Sequence, residues 1–198
     1  MTAKNTAMRW GAVSQGLHWV SVLLIVSLAT IGLLMGEMAA SPLKVRIYAL
    51  HKSLGLTLLA IVLLRLAWRT YAGASPSVPG MPRWQRIASD VSHWGLYALM
   101  LGMPLTGWWL NSAGGYPLQW FGLFNLPKID MTDEGRNAIA TTLHELGFWV
   151  LLALVAVHAG AACFHHLVRR DITLLRMLPG RGAREATRTR STETHHAS

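Results

Sequence analysis

Four runs of apolar residues, each long enough to cross a bilayer as a helix, dominate the chain: roughly 17–38, 48–68, 91–110 and 143–168. A helix rises about 1.5 Å per residue, so about 20 residues cover the roughly 30 Å of hydrocarbon. Each run therefore predicts a transmembrane helix, and together they predict an all-α transmembrane four-helix bundle. Proline is absent from three runs, and Pro104 lies inside the third. A membrane helix accommodates one such proline with a kink, because neighbours can satisfy the freed carbonyl. Between the runs the pattern breaks. "GEMAASPLKVR" joins the first two, and "TYAGASPSVPGMPRWQR", with its prolines, glycines and serines, joins the next two. The longer "NSAGGYPLQWFGLFNLPKIDMTDEGRNAIAT" is partly apolar, and folding over the mouth of the bundle is expected of it. Residues 1–179 then form one membrane domain. The polar, aperiodic stretch from residue 180 to 198 reads as a disordered tail. No internal repeat is visible.

Composition agrees with this reading. Hydrophobic residues make up 52% of the 198 and charged residues 14%, proportions that point to membrane rather than a soluble domain. The first run has Lys4 and Arg9 ahead of it but no convincing Ala-x-Ala site, so a retained helix is expected rather than a cleaved leader. The lone Cys163 excludes an internal disulfide framework and a four-cysteine metal site.

The formal net charge of +9 would suggest nucleic acid in a soluble protein. Here the distribution of cations explains it. Of 18 Lys and Arg, thirteen fall with the N-terminus, the second linker and the C-terminus; five, Lys44, Arg46, Lys52, Lys128 and Arg136, fall on the opposite side. The positive-inside rule then places both termini in the cytoplasm, and no nucleic-acid partner is needed.

Seven of nine histidines lie in or beside the apolar runs. In "TLHELGFWVLLALVAVHAG", His144 and His158 stand fourteen residues apart. Fourteen is close to four helical turns, so the two share a face at heights differing by roughly 21 Å. His51 matches His144 in depth, and His18 matches His158. One intramembrane histidine more often bonds to a neighbouring helix than binds metal. Two depth-matched pairs, each from separate helices, fit a porphyrin iron that takes an imidazole on either side, so two bis-histidine b haems are expected. His93 lacks a partner at its level, which favours a structural role or a contact to a haem carboxylate. His165 and His166 end the last run beside Arg169 and Arg170, where a solvated interface is the simpler reading. Zinc is disfavoured by the absence of a cysteine cluster and of an HExxH pattern. Gly16, Gly55, Gly147 and Gly160 lie near the histidines and would let a flat ring approach.

The segments "GLHWV", "YALHKSLGL", "SHWGLYALMLGMPLTGW", "LHELGFWVLLALVAVHAGAACFHH" and "DITLLRMLP" resemble the bacterial cytochrome b561 family. The resemblance implies haem b held by His51 with His144 on the outer side and by His18 with His158 on the inner side. It also implies a bacterial inner-membrane location and electron exchange with ubiquinone. Members closest to this layout look like superoxide oxidases, so the resemblance implies an enzyme that takes an electron from superoxide, releases oxygen and reduces quinone. For such an activity Lys52, beside His51, would be the catalytic group that attracts the anion. His165, His166 and Trp68 are candidate quinone contacts. The outer side also carries Glu37, Asp130, Asp133, Glu134 and Glu145, so its formal charge is zero, and steering requires the cations to cluster. A haem-bearing anchor for a partner dehydrogenase is the rival reading. A transporter is disfavoured because no duplicated half is visible. The sequence leaves the oligomeric state open.

Overall fold

The computed structural model describes residues 4–6, 9–73 and 81–178. The predicted tail, 180–198, lies outside them. Four long helices make up most of the chain: α1 (Ala12–Glu37), α2 (Pro42–Ala72), α3 (Arg83–Ala113) and α4 (Glu134–Leu167). A short antiparallel hairpin, β1 (Leu118–Trp120) and β2 (Phe124–Leu126), lies between α3 and α4. A single 3₁₀ turn, Leu175–Met177, follows α4.

Every helix starts before the apolar run that predicted it, because backbone hydrogen bonding continues past the point where the side chains turn polar. α2 starts at Pro42, six residues before its run. Ser41 caps it, its hydroxyl accepting the Lys44 N–H at 3.2 Å, and proline occupies the first turn. α4 starts nine residues before its run, capped by Asp133, whose carboxylate accepts the Arg136 N–H at 2.8 Å. The long third linker is thereby shortened. Its first residues complete α3, its last ones open α4, and its middle forms the hairpin, which the sequence analysis did not anticipate.

α1, α2 and α4 have both the length and the apolarity to cross a membrane. α3 has the length but is more polar, and its polarity follows from its place. Leu96, Tyr97, Met100, Pro104, Asn111 and Ser112 are all buried within the protein, so α3 needs less lipid-facing apolar surface. Leu58 and Val62 of α2, Leu96, Tyr97 and Met100 of α3, and Leu151 of α4 form the core. The closest packing runs within two helical hairpins, α1 with α2 and α3 with α4, and α2 joins them. Outward positions such as Leu23, Leu34, Leu64 and Val157 are exposed, as a lipid-facing surface requires.

At the end carrying both chain termini, the segment after α4 turns back over the start of α1. The Arg176 carbonyl accepts from the Gln15 amide at 3.0 Å and the Met177 carbonyl from the Trp19 indole at 2.9 Å. The Arg9 guanidinium donates to the Leu178 carbonyl at 3.0 Å.

Candidate functional site

The helices alternate in direction, and this brings histidines from separate hairpins to matched heights. At the loop end, His51 of α2 faces His144 of α4, with ring centroids 6.4 Å apart. At the terminal end, His18 of α1 faces His158 of α4 at 6.5 Å. Two imidazoles gripping one metal from opposite sides hold their centroids roughly 6.3 Å apart, taking about 2.0–2.1 Å for each metal–nitrogen bond. Both separations match that requirement.

The terminal-end group differs from expectation in one respect. His93 is not isolated: its ring lies 5.4 Å from that of His158. The depth comparison allotted one partner to each α4 histidine and so overlooked a third helix at the same level. At 5.4 Å the His93 and His158 rings stand too close for a metal between them, whereas His18 and His158 have the right spacing.

The rings are held by specific partners. His144 Nδ1 bonds to the Thr106 hydroxyl at 3.1 Å, which fixes the ring and leaves Nε2 for a ligand, as in many metal-binding histidines. His51 Nδ1 is buried without a hydrogen-bond partner among the described residues. A buried polar atom left unpaired is costly in a purely structural role. His18 Nδ1 accepts from the Arg65 guanidinium at 3.2 Å. Arg65 also stacks on the Tyr97 ring, 5.3 Å from its centroid.

Two glycines that the sequence analysis passed over stand against the loop-end rings. A Cβ on Gly32 would sit 3.4 Å from His51 Cε1, and one on Gly107 would sit 3.3 Å from His144 Cε1. By contrast, a Cβ on Gly16, Gly55 or Gly160 would meet nothing within 4 Å. Gly147 faces the Met103 sulfur rather than a histidine. The signal for the right glycines was present. Gly32 lies fourteen residues after His18, Gly107 fourteen after His93, and Arg65 fourteen after His51, the same interval that separates His144 from His158. Each helix thus presents one group to each level. His18, Arg65, His93 and His158 meet at the terminal end; Gly32, His51, Gly107 and His144 meet at the loop end.

The remaining predicted site residues are placed as follows. Lys52 Nζ donates to the Pro117 carbonyl at 3.3 Å, tying α2 to the segment before the hairpin. Lys44 Nζ donates to the Met38 carbonyl at 2.6 Å. Arg136 pairs with Asp130, so these cations are held by separate partners rather than gathered at one point. Asp130 also accepts from the Trp109 indole at 2.7 Å, and that bond first, then the Met131 N–H and Arg136, holds its carboxyl below the usual range. Trp68 lines a cavity at the terminal end together with Arg65, Arg69, His93, Tyr97 and Met177. His165 does not line that cavity; its Nδ1 bonds to Asp171 in the returning segment.

The sequence matches the family model described as prokaryotic cytochrome b561 over residues 9–180. It is 30% identical over 186 residues to "Cytochrome b561 homolog 2" of Escherichia coli strain K12, covering 90% of this chain and 95% of that one. It is 30% identical to "Cytochrome b561 homolog 1" of the same strain, covering 83% and 94%. A protein of Yersinia pestis named "Probable superoxide oxidase CybB" is 28% identical over 86% of this chain and 96% of its own.

Proposed function

The chain belongs to the prokaryotic cytochrome b561 family, membrane electron-transfer proteins that hold haem b, and from that premise we propose that it is a di-haem superoxide:ubiquinone oxidoreductase of the bacterial inner membrane. His51 and His144 hold one haem, and His18 and His158 hold the other. The observation that carries this reading is the pair of ring separations, 6.4 and 6.5 Å, at two heights on α4. Held there, haem b would supply a one-electron redox centre.

The protein's own groups have distinct tasks in this reading. Thr106 fixes the orientation of His144, and Gly32 and Gly107 leave the loop-end level room for a flat macrocycle. At the other level Arg65 only donates hydrogen bonds. If His18 gave Nε2 to the haem, Nδ1 would carry the ring proton, and Arg65, a donor only, would no longer hydrogen-bond there. His93, against His158, buttresses the same level.

The count of Lys and Arg orients the loop end toward the periplasm and both termini toward the cytoplasm. Superoxide then arrives at the loop end, where Lys52 adjoins His51 and supplies local positive charge. Ubiquinone is met at the terminal end, where Trp68 and His165 are the candidate contacts, His165 being held by Asp171 in the returning segment. Two superoxide ions each lose one electron and become dioxygen; one quinone gains two electrons and two protons. The name of the Yersinia relative supports this choice of donor.

Stopped-flow absorbance on the purified, reconstituted protein tests the proposal. Superoxide is expected to reduce the haems, and added ubiquinone to reoxidise them. Reduction by quinol alone, with no response to superoxide, would leave a quinol-linked cytochrome and remove the superoxide activity.

A further inference from the structure

Between α3 and α4, six large apolar residues are exposed within positions 116–131: Tyr116, Phe121, Leu123, Phe124, Ile129 and Met131. Leu123 is 73% exposed and Met131 75%. Such a concentration in an aqueous loop would form a patch of the kind that marks an interaction surface.

The hairpin's attachments fix its height. The Phe121 N–H donates to the Ser53 hydroxyl at 2.9 Å, and the Trp120 indole donates to the Thr57 hydroxyl at 3.1 Å. Counted from Tyr48, where the apolar run of α2 begins, Ser53 and Thr57 lie roughly 7 and 13 Å further along the helix axis. The hairpin is therefore folded down beside α2 instead of standing above it. Its local structure suits that depth. The strands pair Leu118 with Leu126, Gln119 with Asn125 and Trp120 with Phe124. The turn closes with the Leu123 N–H on the Trp120 carbonyl at 2.9 Å, and both central residues, Phe121 and Gly122, have positive φ.

Indole groups of Trp108 and Trp109 donate to the Pro127 carbonyl at 2.9 Å and to Asp130 at 2.7 Å. Trp120 bonds to α2 and these two to the stretch after β2, and tryptophan is enriched where membrane meets water. Lys128 lies two residues beyond β2, and Arg136, ten residues beyond it, is paired with Asp130.

We infer that the β1–β2 hairpin is an interfacial anchor, its Phe121, Leu123 and Phe124 side chains immersed at the boundary of headgroups and acyl chains in the leaflet at the loop end. The occupant is lipid because the surface is continuous with α2, a membrane-crossing helix, and lies level with its apolar run. The inference is independent of the electron donor proposed above. It also assigns the hairpin a mechanical role, since the anchored segment carries the Pro117 carbonyl that restrains Lys52.

Site-directed spin labelling tests it. Leu123→Cys and Met131→Cys are each made in a Cys163→Ser background, because Cys163 is exposed, labelled with a nitroxide and reconstituted in phosphatidylcholine–phosphatidylglycerol vesicles. Lys128→Cys serves as the water-side reference. At both Leu123 and Met131, power saturation is expected to show greater accessibility to oxygen than to a water-soluble nickel chelate, the reverse of the reference. Greater accessibility to the chelate at Leu123 overturns the proposal in favour of an aqueous loop. Shielding from both reagents there overturns it in favour of a protein partner or a second copy of the chain.

Discussion

Replacing Gly107 by alanine isolates one methyl group at the loop-end level. The new Cβ would stand 3.3 Å from His144 Cε1 and 3.6 Å from Nδ1, so the imidazole or α3 must yield by a few tenths of an ångström. Gly102, on the same helix, is the natural control, because its Cβ would meet nothing within 4 Å. Both substitutions gain helix propensity, about 0.8–1.0 kcal/mol by measurements in water. Only Gly107→Ala adds the cost of overpacking, roughly 1–3 kcal/mol. The two variants should therefore differ by about that amount. If the cost falls on cofactor binding, it corresponds to roughly a 5- to 150-fold loss of affinity at one level, at about 1.4 kcal/mol per tenfold. Pyridine haemochrome assay gives haem per chain, and an optical redox titration resolves the components. Gly102→Ala is expected to match the parent protein. Gly107→Ala should lose, or hold weakly, one of two components. Equal haem content and equal titration curves for both variants would refute the cradle at Gly107.

Further outcomes are expected elsewhere in the bundle. His51→Ala and His144→Ala should abolish the same spectral component, and His18→Ala and His158→Ala the other; loss of one component by a mixed pair would break the assignment. Arg65→Met should lower the midpoint potential of the terminal-end component, since it removes a positive charge that favours the reduced centre; an unchanged potential would remove its charge from that site. Reduction by superoxide should slow as ionic strength rises, and Lys52→Ala should lower the rate at low salt more than at high salt. Asp130 has a depressed folded-state pKa, so its contribution to stability is present above the unfolded value and is lost as pH falls through the folded one. Thermal melts should show the same destabilisation by Asp130→Asn at pH 7 and pH 5, shrinking only below about pH 4.

The four helices were legible because lipid demands long apolar stretches, and that demand shows in a single sequence. Their ends were less so. Hydropathy stops at the first polar turn, whereas Ser41 and Asp133 start α2 and α4 earlier by capping exposed N–H groups. The hairpin was missed because its strands are three residues each, too short for a periodic signal, and its register depends on α2. Depth matching brought out His18, His51, His144 and His158 as candidates, and their rings do meet in two pairs. It failed for Arg65, whose charge was assigned wholly to topology, and for Gly32 and Gly107, because closeness was sought along the chain rather than one level away.

The fourteen-residue interval shared by the four helices also constrains how such a chain can change length. One residue inserted between Gly107 and His93, or between the corresponding positions of another helix, turns everything beyond it by about 100° and lengthens that helix by about 1.5 Å. A single helix altered in this way would swing its contribution at one storey out toward the lipid while its neighbours stayed in register. Insertions and deletions are therefore confined to the stretches above and below the two storeys, and drift in size belongs to the turns and the tails.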